Sequence, residues 1–149
     1  QAFNIDDPRM FEVYEVLSEK GAPIMMHMGD DRYDYSHPKR LAKIMDQFPK
    51  LKVIGAHFGG YRQWEEALIH LCGRPNLWLD TSSSLQFIDL ELARKIIKAH
   101  GYEHFLFGTD YPITDQTEEL KRFALLELNE TEEKAILYEN AAKLLGIEY

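Results

Sequence analysis

The chain has 149 residues, with 17 lysines and arginines against 25 aspartates and glutamates, so its formal net charge is −8. This acidic balance argues against binding to nucleic acid or to an anionic membrane surface, because both need a basic excess. No apolar run approaches the ~20 residues of a membrane-spanning helix. The start of the chain lacks a cationic, apolar leader, so we expect no signal peptide. A single cysteine, Cys72, excludes an internal disulfide and is typical of a cytoplasmic protein.

The length also excludes a complete (β/α)8 barrel, which takes about 250 residues. The sequence begins with Gln1 rather than methionine, and we expect it to belong to a longer polypeptide. No low-complexity tract or linker rich in proline, glycine and serine interrupts the chain. The sequence therefore predicts one domain over residues 1–149.

The first predicted element is a helix. Asp7 and Pro8 are typical of a helix N-terminus, apolar residues follow at helical spacing, and Gly21 is typical of a helix end. The run 23–27 then predicts a short buried strand. A second helix is expected to begin with Ser36 as its N-cap and to end before Pro49, with an apolar face formed by Leu41, Ile44, Met45 and Phe48.

The same strand–helix unit recurs three more times. Strands are predicted at 52–57, 77–80 and 105–110. Helices follow the first two of these around 64–71 and 90–97. Two helices follow the last strand, around 120–124 and 137–144, and a capping box of Asn129 and Glu132 is expected to begin the second of them.

The predicted strands are apolar along their whole length, which is typical of a parallel sheet covered by helices. Their ends at His27, His57, Asp80 and Asp110 lie 30, 23 and 30 residues apart, close to the ~30 residues of a βαβ unit. The fold class is therefore α/β, with four parallel strands each followed by a helix, a leading helix and an extra C-terminal helix. Periodicity leaves open whether the sheet is open or part of a barrel.

Each predicted strand ends in a side chain that can bind a metal or transfer a proton: His27, His57, Asp80 and Asp110. Ligands of α/β proteins bind outside the carboxyl ends of the strands, where these residues would meet. A single residue of this kind is usually a structural side chain that is buried and hydrogen-bonded to a loop. Four in register favour a shared site, because burying four polar groups is unfavourable unless they bind something. Imidazole and carboxylate suit a divalent ion, namely zinc, with manganese or iron as alternatives.

Two arginines follow these strand ends. Arg32 lies in the charged segment 30–34, and Arg62 follows the glycine pair Gly59 and Gly60. Either arginine could bind a substrate carboxylate, or it could belong to a solvated loop. Both are therefore candidates for substrate binding.

Other polar residues have simpler structural interpretations. His37 suits a helix start, and residues 81–84 suit a turn before a helix. His100 and His104 have the spacing of a helical metal pair, but Gly101 interrupts the helix between them. The sequence contains no GxGxxG, P-loop or GxSxG motif, which excludes the common nucleotide-binding and serine-hydrolase patterns.

Five segments together resemble the amidohydrolase-related metal-dependent hydrolases: PIMMHMG, FPKLKVIGAHFGGY, LWLDTSSS, FLFGTDYP and NAAKLLGI. That group includes aminocarboxymuconate semialdehyde decarboxylase, resorcylate-type decarboxylases and pyrone-dicarboxylate lactonase. The resemblance extends from about Asp7 to Ile147. It implies the C-terminal half of a (β/α)8 TIM barrel, with the first four strands absent.

The resemblance also implies residue roles. His27 corresponds to the family's metal-binding histidine on the fifth strand. His57 corresponds to the sixth-strand histidine that binds or lies beside the metal and polarises the substrate. Asp110 corresponds to the eighth-strand aspartate that binds the metal or its water and transfers a proton. Asp80 has no catalytic counterpart and is expected to support a ligand through hydrogen bonds. The His-x-His pair of the family's first strand is absent from this chain.

We therefore expect a metal-dependent hydrolase that acts on a C–N or C–O bond of a small, acidic substrate. A metal-activated water would attack the carbonyl, Asp110 would transfer its proton, and His57 would help to stabilise the oxyanion. The alternative is a nonoxidative decarboxylase that uses the same residues. A third hypothesis is a non-catalytic half-barrel. Because half a barrel has two open strand edges, we expect a homo-oligomer or a second chain that supplies the missing half.

Overall fold

The computed structural model describes residues 2–148. Four short strands lie in this part of the chain: β1 (Pro23–Met26), β2 (Lys52–Gly55), β3 (Leu77–Asp80) and β4 (Phe105–Leu106). The α-helices are α1 (Phe11–Lys20), α2 (Pro38–Gln47), α3 (Trp64–His70), α4 (Leu90–His100), α5 (Gln116–Ala124), α6 (Glu130–Lys134) and α7 (Asn140–Leu145). A π-helical turn, Ala135–Glu139, joins the last two helices.

Local capping explains where several helices begin and end. The Asp7 carboxylate accepts a hydrogen bond from the Arg9 backbone N–H at the start of a 3-10 turn that leads into α1. Gly21 ends α1 in the left-handed conformation, with φ of 63°. Asn129 and Glu132 form the predicted capping box at the start of α6. These three predictions are confirmed.

The four strands form one parallel sheet in the order β1-β2-β3-β4, which confirms the predicted α/β class. In the register, Ile24 pairs with Val53, and Val53 pairs with Leu77. Val53 and Leu77 are fully buried in the hydrophobic core, against which Ile24 also packs. This face of the sheet is therefore the one that the helices cover.

The opposite face of the sheet is more open. Met25 pairs with Ile54, and Ile54 pairs with Trp78, so these three side chains share that face. Met25 is 61% exposed, although it lies in the middle of a strand. A parallel sheet normally has both faces covered. The open face is the one that would line the inside of a closed barrel.

Several boundary predictions are wrong. β1 ends at Met26 and β2 ends at Gly55, so His27 and His57 follow their strands and are not the last residues of them. Ser36 does not cap α2, because Pro38 is the first helical residue and His37 precedes it directly, so the His37 ring accepts the Lys39 backbone N–H. β4 ends at Leu106 and not at residue 110, because the Phe107 N–H donates to the carbonyl of Ile136 and leaves the sheet.

Within residues 2–148, no helix combines the length and the apolar character that crossing a membrane requires.

Candidate functional site

The carboxyl ends of β1 and β2 bring two histidines into contact. Met26 at the end of β1 pairs with Gly55 at the end of β2, so the residues that follow them are neighbours. His27 Nδ1 lies 3.1 Å from His57 Nε2, and the two rings meet edge to face with 4.9 Å between centroids. The structure therefore brings together two of the predicted metal ligands.

Backbone carbonyls fix the tautomer of both rings. His27 Nε2 lies 2.7 Å from the carbonyl oxygen of Gly29, and His57 Nδ1 lies 2.9 Å from that of Ser82. A carbonyl oxygen can only accept, so both of these nitrogens carry hydrogen. The nitrogens that face each other, Nδ1 of His27 and Nε2 of His57, then carry no hydrogen, and each has a lone pair that could bind a cation. Histidine ligands of metals are typically held by a backbone carbonyl in this way.

The pKa of His27 is lowered from 6.5, first because its ring is partly desolvated and second because His57 lies beside it. The carbonyl of Gly29 and the charges of Asp30 and Asp110 act in the opposite direction and are weaker. At neutral pH the ring is therefore uncharged. Its Nδ1 lone pair remains available to a cation.

Asp80 lies beneath this pair and holds His57. Its carboxylate is buried, and Oδ1 accepts from the His57 backbone N–H at 2.9 Å. The same oxygen accepts from the backbone N–H of Ser82 at 2.9 Å and from the Ser82 hydroxyl at 2.6 Å. Since Ser82 also contacts the His57 ring, one carboxylate fixes both the backbone and the ring of His57.

Asp110 is the last of the strand-end candidates, and its charge acts on His27. Its carboxylate is exposed, and Oδ2 accepts a hydrogen bond of 2.9 Å from the hydroxyl of Ser83. Among residues 2–148, no three His, Cys, Asp or Glu side chains come together closely enough to hold a metal ion. The structure thus unites His27 and His57 and does not bring Asp110 into one cluster with them.

The two candidate arginines have different surroundings. Arg32 is exposed and forms ion pairs with Asp30 at 3.3 Å and Asp31 at 3.6 Å, and Asp30 raises its pKa. Arg62 stacks over the ring of Phe87, with 4.2 Å from Cζ to the ring centroid.

Several residues in the loops that follow the strands have strained backbone conformations. The residue types alone did not reveal this strain. A positive φ is uncommon for any residue but glycine and is often found at functional sites. Of seven such residues in the described part of the chain, five lie in the loops after β2, β3 and β4: His57, Phe58, Arg62, Ser83 and Asp110.

The residue pattern did not indicate the roles of the serines that follow β3. Residues 81–84 do form a turn, but Ser82 contacts His57 and Ser83 contacts Asp110. Their position directly after Asp80 was the available signal. His100 and His104 do not form a metal pair, because both ring nitrogens of His100 already bond to the backbone, at Gly73 and Leu77.

A cavity of about 700 Å³ runs along the outer side of β1. His27 and Arg32 line it together with Met25, Tyr33 and Tyr35. Because β1 is the first strand of the sheet, this cavity lies at an edge where a further strand could pair.

The profile of the amidohydrolase family matches residues 1–147. An uncharacterised TIM-barrel protein from Bordetella bronchiseptica is 26% identical to this chain, with a TM-score of 0.85, and the match covers 97% of this chain and 53% of that one. Comparison with curated proteins gives no match.

Two further solved structures share the fold at lower identity. A dihydroxybenzoic acid decarboxylase from Polaromonas sp. JS666, with bound manganese and the inhibitor 2-nitroresorcinol, is 17% identical with a TM-score of 0.72, covering 97% of this chain and 55% of that one. An amidohydrolase from Burkholderia multivorans with bound zinc is 13% identical with a TM-score of 0.75, covering 96% and 59%. The chain therefore spans about half the length of these structures, which confirms the predicted half-barrel.

Proposed function

The chain belongs to the amidohydrolase family, and we propose that it forms part of a metal-dependent hydrolase acting on a C–N or C–O bond of a small acidic substrate. One observation carries the proposal: the carbonyls of Gly29 and Ser82 hold the other ring nitrogens, so Nδ1 of His27 and Nε2 of His57 face each other without hydrogen across 3.1 Å. Such an arrangement is unfavourable unless a proton or a metal ion lies between the nitrogens. The lowered pKa of His27 disfavours the proton.

The donor set fits two of the ligands of a divalent ion. Two nitrogens bound to one tetrahedral zinc lie about 3.3 Å apart, given zinc–nitrogen bonds of about 2.05 Å, which is close to the observed 3.1 Å. A catalytic zinc usually has three protein ligands, and residues 2–148 offer no cluster of three. The structures with bound manganese and zinc support a divalent ion of either kind. When bound, the ion would acidify a water molecule and polarise the substrate carbonyl.

The residues of this chain would then take distinct roles. His27 and His57 would hold the ion, and His57 would also face the carbonyl oxygen that becomes negative during attack. Asp110 would accept the proton of the attacking water and return it to the leaving group. Ser83 supports that role, because its hydroxyl binds one carboxylate oxygen and orients the other. Asp80 would position His57 and take no part in proton transfer.

A nonoxidative decarboxylase is the second candidate. It is favoured by the fold shared with the dihydroxybenzoic acid decarboxylase and with a 5-carboxyvanillate decarboxylase from Sphingomonas paucimobilis. In that reaction His27 and His57 would again hold the ion. Asp110 or His57 would protonate the carbon that loses carbon dioxide.

We further propose that four additional strands complete the site. The exposed Met25 side chain and the unpaired outer edges of β1 and β4 support a partner half-barrel, either from the same polypeptide or from a second chain. A homo-oligomer is the other way to cover this face. The single cysteine and the net negative charge support a cytoplasmic enzyme with a small-molecule substrate and no nucleic-acid partner.

Metal binding tests the proposal first. The chain should bind zinc or manganese in isothermal titration calorimetry, and His27→Gln or His57→Gln should weaken binding by at least about 100-fold, since each removes one of few ligands. His70→Gln is the matched control, because His70 lies on α3 and its ring contacts Glu66 and His37 rather than the histidine pair. Equal loss in all three variants, or no metal binding at neutral pH once the four additional strands are supplied, would contradict the proposal.

Substrate assays then separate the two reactions. Metal-loaded protein is offered lactones and amides of small acids on one side and aromatic carboxylic acids on the other. Hydrolysis products without carbon dioxide support the hydrolase, and carbon dioxide without hydrolysis products supports the decarboxylase. A metal-free, inactive monomer in gel filtration would leave only the non-catalytic half-barrel.

A further inference from the structure

Asn140, the first residue of α7, is buried although it is polar. It is only 7% exposed, and its side-chain amide donates two hydrogen bonds, to the carbonyl of Tyr102 at 2.7 Å and to the carbonyl of Phe105 at 2.8 Å. An asparagine amide has two hydrogens to donate, so both are used. Phe105 is the first residue of β4. The last helix of the chain is therefore bonded directly to the last strand.

The backbone groups of β4 point alternately to its two sides. The Leu106 carbonyl accepts the N–H of Thr81 and so points towards β3. The groups of Phe105 and Phe107 point the other way, where no strand of residues 2–148 pairs with β4. On that side the Phe105 carbonyl accepts the asparagine amide, and the Phe107 N–H donates to the carbonyl of Ile136 at 2.8 Å. The C-terminal segment thus bonds to β4 where a neighbouring strand would.

The π-helical turn Ala135–Glu139 makes the Ile136 carbonyl available for this bond. In an α-helix the Asn140 N–H would bond to Ile136, four residues earlier. Here it bonds to the carbonyl of Ala135, five residues earlier. The Ile136 carbonyl accepts the Phe107 N–H. The π-helical turn and Asn140 therefore act on the same strand from the same side.

β4 needs support from outside the sheet, because it is only two residues long and pairs with β3 at two register positions. The strand leads directly to Asp110. Between them, the backbone N–H and C=O of Gly108 both bond to the hydroxyl of Thr81, each at 3.1 Å. The Asp110 carboxylate then accepts the hydroxyl of Ser83 at 2.9 Å. A shift of β4 along its axis would break these bonds, since each needs a fixed distance and angle.

We propose that Asn140 is a positioning residue: together with the π-helical turn it holds β4 from its outer side and so keeps the Asp110 carboxylate in its hydrogen bond with Ser83. Asn140 itself touches no reacting atom. The effect on catalysis rests on the proposed function, because it needs a reaction in which Asp110 transfers a proton. The geometry needs neither metal nor substrate, so it can be tested separately.

Substitutions at position 140 remove the two donated bonds. Asn140→Leu keeps the approximate size of the side chain, and Asn140→Asp keeps its shape but places an oxygen against two carbonyl oxygens. Asn129→Ala is the matched control in the same segment, because the Asn129 side chain bonds to N–H groups at the start of α6 itself. Ser83→Ala is the reference for a lost bond to Asp110.

NMR of the metal-free, 149-residue chain at pH 7 measures the geometry. In both Asn140 variants, the Phe107 N–H should exchange with solvent about tenfold faster than in Asn129→Ala. The carboxyl carbon signal of Asp110 should move to its position in Ser83→Ala, whereas Asn129→Ala should leave it unchanged. If Asn140→Leu and Asn140→Asp do not fold, Asn140→Ser, which keeps one short donor, is measured and should show the same changes with smaller size.

Metal binding and kinetics test the effect on the site, with the four additional strands supplied. Zinc affinity should stay the same in the Asn140 variants, because His27 and His57 follow other strands. For a substrate that the protein turns over, kcat should fall about 100-fold while KM changes little, since the group that moves the proton is misplaced.

Two results would overturn the proposal. One is an Asp110 signal that stays unchanged in folded Asn140 variants, and the other is an equal change in Asn129→Ala or a joint loss of zinc affinity, which would show a general structural role. An unaltered protein that binds no zinc would instead refute the metal proposal. The Phe107 and Asp110 signals of the metal-free chain would still decide the role of Asn140.

Discussion

The stability of the fold should depend on pH through one buried histidine, His100, at the end of α4. Its Nε2 donates to the carbonyl of Leu77, 3.0 Å away, and its Nδ1 accepts the backbone N–H of Gly73 at 3.2 Å. Both ring nitrogens are thus used in the neutral form. Protonation would break the bond from Gly73 and leave a charge in a buried place. Burial therefore lowers the pKa of His100 from 6.5 to about 4, with a smaller contribution from neighbouring His104.

The magnitude follows from this difference in pKa. One pKa unit corresponds to 1.36 kcal/mol, so a fall from 6.5 to about 4 corresponds to about 3 kcal/mol. Below pH 6.5 the unfolded chain takes up a proton on His100, while the folded chain stays neutral until about pH 4. The contribution is therefore fully present above pH 6.5 and is lost as the pH falls from 6.5 to 4.

Urea unfolding between pH 4 and pH 7.5 measures this contribution. The unaltered chain and His100→Gln are compared, because the variant keeps every other titrating group. Between pH 7 and pH 4, the free energy of unfolding of the unaltered chain should fall by about 3 kcal/mol more than that of the variant. Equal pH dependence in both proteins, or an NMR titration of folded His100 near 6.5, would refute the reasoning.

Three further predictions follow from contacts at other positions. Gly29→Ala should lower the free energy of unfolding by about 3 kcal/mol or more, because φ is +74° and the new Cβ would come within 2.6 Å of the Tyr61 carbonyl oxygen. Gly73→Ala, with φ of +79° and no atom within 4 Å, should lose only about 1–2 kcal/mol. Asp80→Ala should lose about 2–4 kcal/mol in urea unfolding and weaken zinc binding 10- to 100-fold, since it leaves the N–H of His57 unpaired. Burial raises the pKa of Cys72 to about 11, so at pH 8 the thiol should react with iodoacetamide about 100-fold more slowly than free cysteine.

Each of these predictions has a clear opposite. Similar losses in Gly29→Ala and Gly73→Ala would mean that the loop after β1, at Gly29, does not approach the loop after β2, at Tyr61, in solution. Unchanged zinc affinity in a folded Asp80→Ala protein would mean that Asp80 does not position His57. Rapid alkylation of Cys72 in the native state would mean that the segment after α3, which contains Cys72, opens readily.

Local sequence was sufficient for most of the fold. The strand Leu77–Asp80 was predicted with its observed bounds, because a covered parallel strand must be apolar along its whole length. The caps at Asp7, Gly21 and Asn129 were also predicted, because capping depends on residues within one turn of the helix end. The meeting of His27 and His57 was predicted in the same way, since neighbouring parallel strands end side by side.

The chemistry of the site depends on contacts that no local pattern specifies. The lone pairs of His27 and His57 face each other only because carbonyls of Gly29 and Ser82, in two separate loops, take the other ring nitrogens. Asp110 falls outside their cluster because β4 leaves the sheet after Leu106, four residues earlier.

The sequence by itself determined the class of fold, the order of its elements and the histidines at the strand ends, because hydrophobic periodicity and capping are properties of neighbouring residues. Only the tertiary structure decided which ring nitrogens of His27 and His57 lack a backbone partner, and which of the two arginines forms ion pairs. Arg32 and Arg62 have the same charge and both follow strand ends. Arg32 forms ion pairs with Asp30 and Asp31 of its own loop, whereas Arg62 stacks on the ring of Phe87, which lies after β3. The physical reason is that a hydrogen bond or an ion pair needs two groups at a fixed distance and angle, and folding alone sets that geometry between loops.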